Sequence, residues 1–200
     1  MQQARTLETP VTADASRLRY HMTTRWLLIG TAEEVYAILR RPAELPRWWP
    51  AVFLSTTVLR RGDENETGSR VSVHSKGWQP YTVHFEFEVV EVLPPTRITI
   101  QVWGDFEGVC QLDIKPTRDQ VEMVFDWQCK VNRPLLRWGA GVSHKMGVSN
   151  HRWTMRQGCR SLQLELNRRQ APDGRQPVRP PGPVFPHDRF SQSALAVFRG

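Results

Sequence analysis

Three basic side chains in the C-terminal half of the chain are of the types that acid–base chemistry uses. His151 and Arg152 flank an apolar helical stripe, and His144 lies near the same stripe, one turn before Val148. A histidine in this position could act as a general base, and the arginine could hold an enolate or a carboxylate. The alternative is that all three lie at the rim of the fold, and the sequence leaves both interpretations open.

Other reactive residue types are less informative. Asp105 and Glu107 form a carboxylate pair in Gly104-Asp-Phe-Glu-Gly108, but carboxylates in a hairpin turn usually face water. The three cysteines lack metal-ligand spacing and fall on apolar faces, so we expect buried, reduced thiols. The sequence has no phosphate-binding glycine loop, metal cluster or nucleophile motif, and we therefore expect no cofactor and no metal.

One strand and one long helix would position the basic residues. Residues 120–131 alternate with period two, which predicts a half-buried antiparallel strand. From about Ser143 to Arg168 the period becomes helical, and Arg156, Arg160 and Glu165 point away from the apolar stripe. The stripe comprises Val148, Met155, Cys159, Leu162 and Leu166.

The preceding part of the chain predicts strands joined by short turns. Thr31 and Glu34 form a capping box that begins a short helix, and Pro42 ends it before one more helical turn. Alternating apolar residues give seven strands in total, and the one-sided pattern predicts a meander with one wet face and the long helix against the other. The strands are predicted at 19–28, 52–61, 70–75, 81–92, 97–103, 109–115 and 120–131.

Charge and composition restrict the possible partners. The net charge is +7, but six arginines and only two aspartates follow Asn167, so much of the excess lies in the tail. We expect no nucleic-acid partner, because no basic strip is interleaved with exposed aromatic residues. The chain shows no apolar run long enough for a membrane span and no signal peptide, and we expect a cytoplasmic protein.

The element order and several local motifs resemble the helix-grip fold of the START/Bet v 1-like (SRPBCC) superfamily, in particular its polyketide cyclase/dehydrase and lipid-transport group. The matching stretches are Ala32-Glu-Glu-Val-Tyr-Ala, Leu45-Pro-Arg-Trp-Trp-Pro50, Gly104-Asp-Phe-Glu-Gly108 and Met155-Arg-Gln-Gly158. The resemblance implies an α+β fold in which a seven-stranded curved antiparallel sheet wraps around a long C-terminal helix, with two short helices between strands one and two. It also implies a cavity between the sheet and that helix.

We accordingly predict three segments. Residues 1–17 form a flexible N-terminal segment, residues 18–169 form the START-like helix-grip domain, and residues 170–200 form a disordered tail rich in proline and arginine. The tail could make a weak contact with an acidic partner or a membrane surface, which is a third interpretation of this chain as an interaction module.

The inward-facing residues are apolar and aromatic, with almost no acid or base. They predict either a tightly filled core or, as the resemblance implies, a cavity that binds a hydrophobic small molecule such as a lipid or a polyketide-like compound. The runner-up is an enzyme, a polyketide cyclase or dehydratase that uses His151 or His144 with Arg152 at the cavity mouth. The predicted ligand-binding residues are Trp26, Trp78, Phe85, Phe87, Ile100, Trp103, Cys110, Leu112, Phe125, Trp127, Met155 and Cys159.

Overall fold

A computed structural model describes residues 4–8, 12–14, 19–118, 120–132, 140–171 and 180–184. The described residues form three α-helices: α1 Ala32–Leu39, α2 Leu45–Trp48 and α3 Ala140–Gln170, and a 3-10 turn, Pro42–Glu44, precedes α2. They also form nine strands: β1 Arg5–Glu8, β2 Thr12–Asp14, β3 Arg19–Leu28, β4 Phe53–Arg60, β5 Arg70–Lys76, β6 Thr82–Leu93, β7 Arg97–Gly104, β8 Phe106–Pro116 and β9 Val121–Val131.

The strands make one antiparallel sheet. Its order is β1-β3-β9-β8-β7-β6-β5-β4, and β2 also pairs with β3. Strands β4 to β9 follow one another as a meander, and β3 joins the free edge of β9. The helix α3 shares one apolar core with the inward face of this sheet and with α1 and α2. The α+β fold with a long C-terminal helix is thus confirmed.

The strand count differs from the seven that the sequence predicts. The two additional strands, β1 and β2, lie in the N-terminal segment and pair with β3. Each has at most four residues, so the alternation that identifies a strand is too short to be recognised there. Most of the predicted tail lies outside the described residues.

Local sequence signals explain the beginning of α1 and one tight turn. The Thr31 hydroxyl accepts a hydrogen bond from the Glu34 amide at 3.2 Å, and the Glu34 carboxylate accepts one from the Thr31 amide at 2.8 Å, which completes the predicted capping box. Gly104, the last residue of β7, has φ +117°, and a Cβ atom there would lie 2.8 Å from the His84 carbonyl oxygen. Only glycine fits this turn without strain.

The C-terminal half of α3 is held closely against the rest of the fold. A Cβ atom at Gly158 would lie 2.3 Å from the Trp49 ring, so the glycine allows the helix to approach the indole closely. The Gln163 side chain bonds both the amide and the carbonyl of Ile29, at 2.8 and 3.0 Å. Glu165, which the sequence places off the apolar stripe, is nevertheless buried, and its carboxylate pairs with Arg47 of α2.

Candidate functional site

A cavity of about 380 Å³ lies between the inward face of the sheet, the segment that contains α1 and α2, and the N-terminal half of α3. Its volume is within the range of small-molecule binding sites, which is about 300–1,000 Å³. Most of its wall is apolar or aromatic. A cavity with such walls favours apolar ligands, because burying their surface removes it from water.

The structure brings most of the predicted ligand-binding residues together around this cavity. They come from β6, β7, β8, β9 and α3, and they share the inward side because side chains alternate along a strand. Whether they bind a ligand stays a prediction. The predicted residues in the wall are Phe85, Phe87, Ile100, Cys110, Leu112, Phe125, Trp127 and Met155, together with His151.

Four predicted ligand-binding residues do not line the cavity. Trp26 and Cys159 are fully buried in the packed core, where the Trp26 ring contacts the rings of Trp49 and Phe125. Trp103 lies on the opposite face of β7 to the buried Val102 and is 36% exposed. The Arg70 guanidinium lies 5.3 Å from the centre of its ring. Trp78 lies in the turn after β5, outside the wall.

Of the two other basic candidates, only Arg152 has a described side chain. Arg152 is exposed on α3 and is absent from the lining. The side chain of His144 lies outside the described residues. Of the three basic candidates, only His151 has a described position in the wall.

Several lining residues were missed at the level of sequence. On α3, Asn150 and Thr154 share a face with Gly147 and His151 at spacings of three and four residues, but a search for apolar periodicity skips polar side chains. A second missed group comes from the segment around α1 and α2, where short helices give little periodicity. This group consists of Leu39, Pro42, Leu45, Val52 and Phe53, and Trp48 and Trp49 of the same segment also line the cavity.

His151 forms a polar pair with Thr24 of β3. The His151 Nε2 atom lies 3.2 Å from the Thr24 hydroxyl oxygen. Burial, together with the smaller effect of the nearby Arg152 charge, lowers the pKa of His151 to about 4. The imidazole is therefore neutral at pH 7, and it is a weaker base than one whose pKa lies near the working pH.

The cysteines show no sign of nucleophilic chemistry. All three are free and buried. Burial raises the pKa of the Cys129 thiol to about 12 and that of Cys159 to about 11, and it also raises the pKa of Cys110. Because the thiolate is the reactive form, these side chains behave as small apolar wall or core residues at neutral pH.

The carboxylates Asp105 and Glu107 organise the β7–β8 turn. The Asp105 carboxylate accepts a hydrogen bond from the His84 amide at 2.9 Å, and the Glu107 carboxylate accepts one from the Asn132 amide group at 3.3 Å. Neither residue lines the cavity. Their contacts are those of a turn rather than of an acid–base pair.

Opposite charges occur at the end of the cavity near the β4–β5 loop. Arg40, Asn65 and Glu66 belong to the wall there, and Arg40 donates a hydrogen bond to the Glu64 carbonyl oxygen. Glu66 has φ +70°, a left-handed conformation that costs energy for a residue with a side chain. The Asp63 carboxylate accepts hydrogen bonds from the Asn65 and Thr67 amides, at 2.8 and 2.9 Å, and so holds this loop in place.

Two further features bear on possible functions. Within the described ranges, no group of three or more His, Cys, Asp or Glu side chains is placed to hold a metal ion. No helix in the described part of the chain combines the length and apolarity that crossing a membrane requires.

The helix-grip arrangement, with an apolar cavity between sheet and helix, defines the class of protein. The chain belongs to the family described as polyketide cyclase/dehydrase and lipid transport, whose sequence profile matches residues 21–166. No curated protein matches the chain by sequence.

Solved structures support the same fold. The Zhui aromatase/cyclase from Streptomyces sp. R1128 is similar with a TM-score of 0.63 and 12% identity, over 78% of this chain and 98% of that chain. A START superfamily protein from Mycobacterium smegmatis is similar with a TM-score of 0.58 and 17% identity, over 74% of this chain and 97% of that chain. At such identities the similarity shows the fold alone.

Proposed function

We propose that this protein binds or transports a hydrophobic small molecule, a lipid or a polyketide-like compound, in the cavity between the sheet and α3. The observation that carries the proposal is the cavity of about 380 Å³ with its apolar and aromatic wall. An apolar ligand gains about 25 cal/mol for each Å² of surface that it buries.

Two tryptophan substitutions on α3 test the proposal as a matched pair. Thr154 lines the cavity, whereas Cys159 is 2% exposed and lies outside the wall. Thr154→Trp should fill the cavity and abolish binding of Nile red, an uncharged dye, with little loss of stability. Cys159→Trp should instead overpack the core and lower the free energy of unfolding by about 1–3 kcal/mol or more.

Dye titrations and urea melts of the native protein and both variants distinguish a ligand-binding cavity from a filled core. Native mass spectrometry of the freshly purified protein adds a direct search for a retained ligand. A native protein that binds no dye, together with a large stability loss in Thr154→Trp, would mean that the region is a filled core.

A cyclase or dehydratase activity on a polyketide-like substrate is the second candidate. It is favoured by one observation, namely that His151 belongs to the cavity wall. Its low pKa makes it a weak general base, and Arg152, proposed to hold an enolate, is not in the wall. The binding function is therefore preferred. The cytoplasmic location and the contact of the tail with an acidic partner or a membrane surface stay predictions.

A further inference from the structure

The hydrogen bond between His151 and Thr24 is a polar contact inside an otherwise apolar region. Thr24 lies between Met22 and Trp26 on the inward side of β3 and is only 4% exposed. Its hydroxyl oxygen is 3.2 Å from His151 Nε2, which connects β3 to α3. One ring nitrogen of His151 is therefore used by the protein itself.

The other ring nitrogen, Nδ1, makes no hydrogen bond to any residue in the described part of the chain. The indole nitrogens of Trp48 and Trp49 are fully enclosed and lack a hydrogen-bond partner. His151 Nδ1 is not among the atoms of this kind. Both tryptophans and His151 belong to the cavity wall. His151 Nδ1 is therefore not fully enclosed, whereas the indole N–H groups of both tryptophans are.

The bonding capacity of this nitrogen depends on the tautomer. A neutral imidazole has one N–H donor and one acceptor nitrogen, and the Thr24 hydroxyl can either donate to Nε2 or accept from it. When Thr24 donates, Nδ1 carries the proton and can donate to a carbonyl oxygen. When Thr24 accepts, Nδ1 is bare and can accept from a ligand hydroxyl.

The other charged residues of the wall do not form a binding site for an anion beside His151. Arg40 and Glu66 carry opposite charges and belong to the α1 end and the β4–β5 loop. Lys76 of β5 also belongs to the wall and is 3% exposed, but it already has an interaction partner. An ionised ligand group next to a neutral imidazole would lose its hydration without gaining a counter-charge there.

We infer that the ligand is an uncharged, mainly apolar molecule with a hydroxyl or carbonyl oxygen, and that this oxygen hydrogen-bonds to Nδ1 of His151. The inference rests on the proposed binding function, because it names the chemical class that the same cavity takes. The oxygen fixes the orientation of the ligand, and the apolar wall supplies most of its affinity.

Three naphthalenes of similar size test the inference by calorimetric titration. They are 2-ethylnaphthalene, which has no oxygen, 2-acetylnaphthalene, which has a neutral carbonyl, and 2-naphthoate, which is anionic. One net hydrogen bond should make 2-acetylnaphthalene bind about 3- to 10-fold more tightly than 2-ethylnaphthalene. We expect 2-naphthoate to bind more weakly than both.

Two variants connect that preference to His151. His151→Leu should lose the preference for 2-acetylnaphthalene over 2-ethylnaphthalene, measured as the ratio of the two dissociation constants within the variant. His151→Asn retains a side-chain donor and acceptor and should keep only part of the preference for 2-acetylnaphthalene. This variant provides a second measurement of that preference if the leucine variant folds poorly.

The possible failures differ in what they overturn. Tightest binding of 2-naphthoate, or a carbonyl preference as large in His151→Leu and His151→Asn as in the native protein, overturns the inference and leaves the binding function in place. If none of the three naphthalenes binds to the native protein, the proposed function is overturned and the inference with it.

Discussion

Replacing Glu165 by glutamine should be among the most destabilising conservative changes in α3. The Glu165 carboxylate is 4% exposed and accepts hydrogen bonds from three guanidinium groups. The distances to Oε1 are 2.8 Å from Arg47 Nη2, 2.8 Å from Arg168 Nη2 and 2.7 Å from Arg169 Nε. Burial alone would raise the pKa of this carboxyl, but the three arginines lower it well below its usual range.

The expected magnitude follows from what the substitution leaves behind. Removing one partner of a buried ion pair typically costs about 3–5 kcal/mol, because the other charge stays desolvated. Here the guanidinium groups are partly exposed and can regain water, and the glutamine oxygen still accepts hydrogen bonds. We therefore expect the free energy of unfolding to fall by about 2–4 kcal/mol, below the full penalty for a buried pair.

The assay is urea unfolding at pH 7, followed by tryptophan fluorescence, with Glu122→Gln as the matched control. Glu122 pairs with Arg25 at 2.9 Å on the outer face, where both side chains contact water. Surface pairs of this kind contribute about 0–1 kcal/mol. If Glu165→Gln costs no more than the control, the carboxylate does not anchor α2 to α3 as we argue.

Two further predictions concern α3. Gly158→Ala should lower the free energy of unfolding by about 1–3 kcal/mol in urea melts, because the new Cβ atom would lie 2.3 Å from the Trp49 ring. This loss is expected even though alanine favours helices more than glycine does. An unchanged or higher stability would contradict the close packing. Burial lowers the pKa of His151 to about 4, below the value of about 6.5 for an unfolded histidine, so the unfolded chain binds the proton more readily. Stability should fall as the pH drops from about 6.5 to about 4, with about 1–2 kcal/mol lost between pH 7 and pH 5, and a His151→Asn variant should lack this part of the loss.

The sequence predicts the sheet well because its signal is simple. Alternation with period two assigns each residue of a long strand to one side, and Phe85, Phe125 and Trp127 lie on the cavity side as expected. Trp103, predicted to bind the ligand, lies on the other side of the sheet. Its parity is opposite to that of Val102, and parity decides the direction in which a strand residue points.

The helix is harder to interpret because its two halves contact different partners. Apolar spacing finds Met155 but cannot find Thr154, which lines the cavity as a polar residue. It places Glu165 off the apolar stripe, but nothing in the local pattern shows that the residue is buried and pairs with Arg47 of a distant short helix. Contacts of this kind depend on tertiary structure, where single-segment periodicity carries no information.

The two halves of α3 together explain how the fold can keep a cavity open. Protein interiors are normally close-packed, and a void loses the dispersion contacts that its lining would otherwise make. The C-terminal half compensates for this loss with dense packing of Leu162 and Leu166, the close approach at Gly158, and the ion pairs of Glu165. The N-terminal half, with Gly147 and Thr154, is then free to border empty space. Substitutions in the C-terminal half should therefore change mainly stability, and those in the N-terminal half mainly ligand binding.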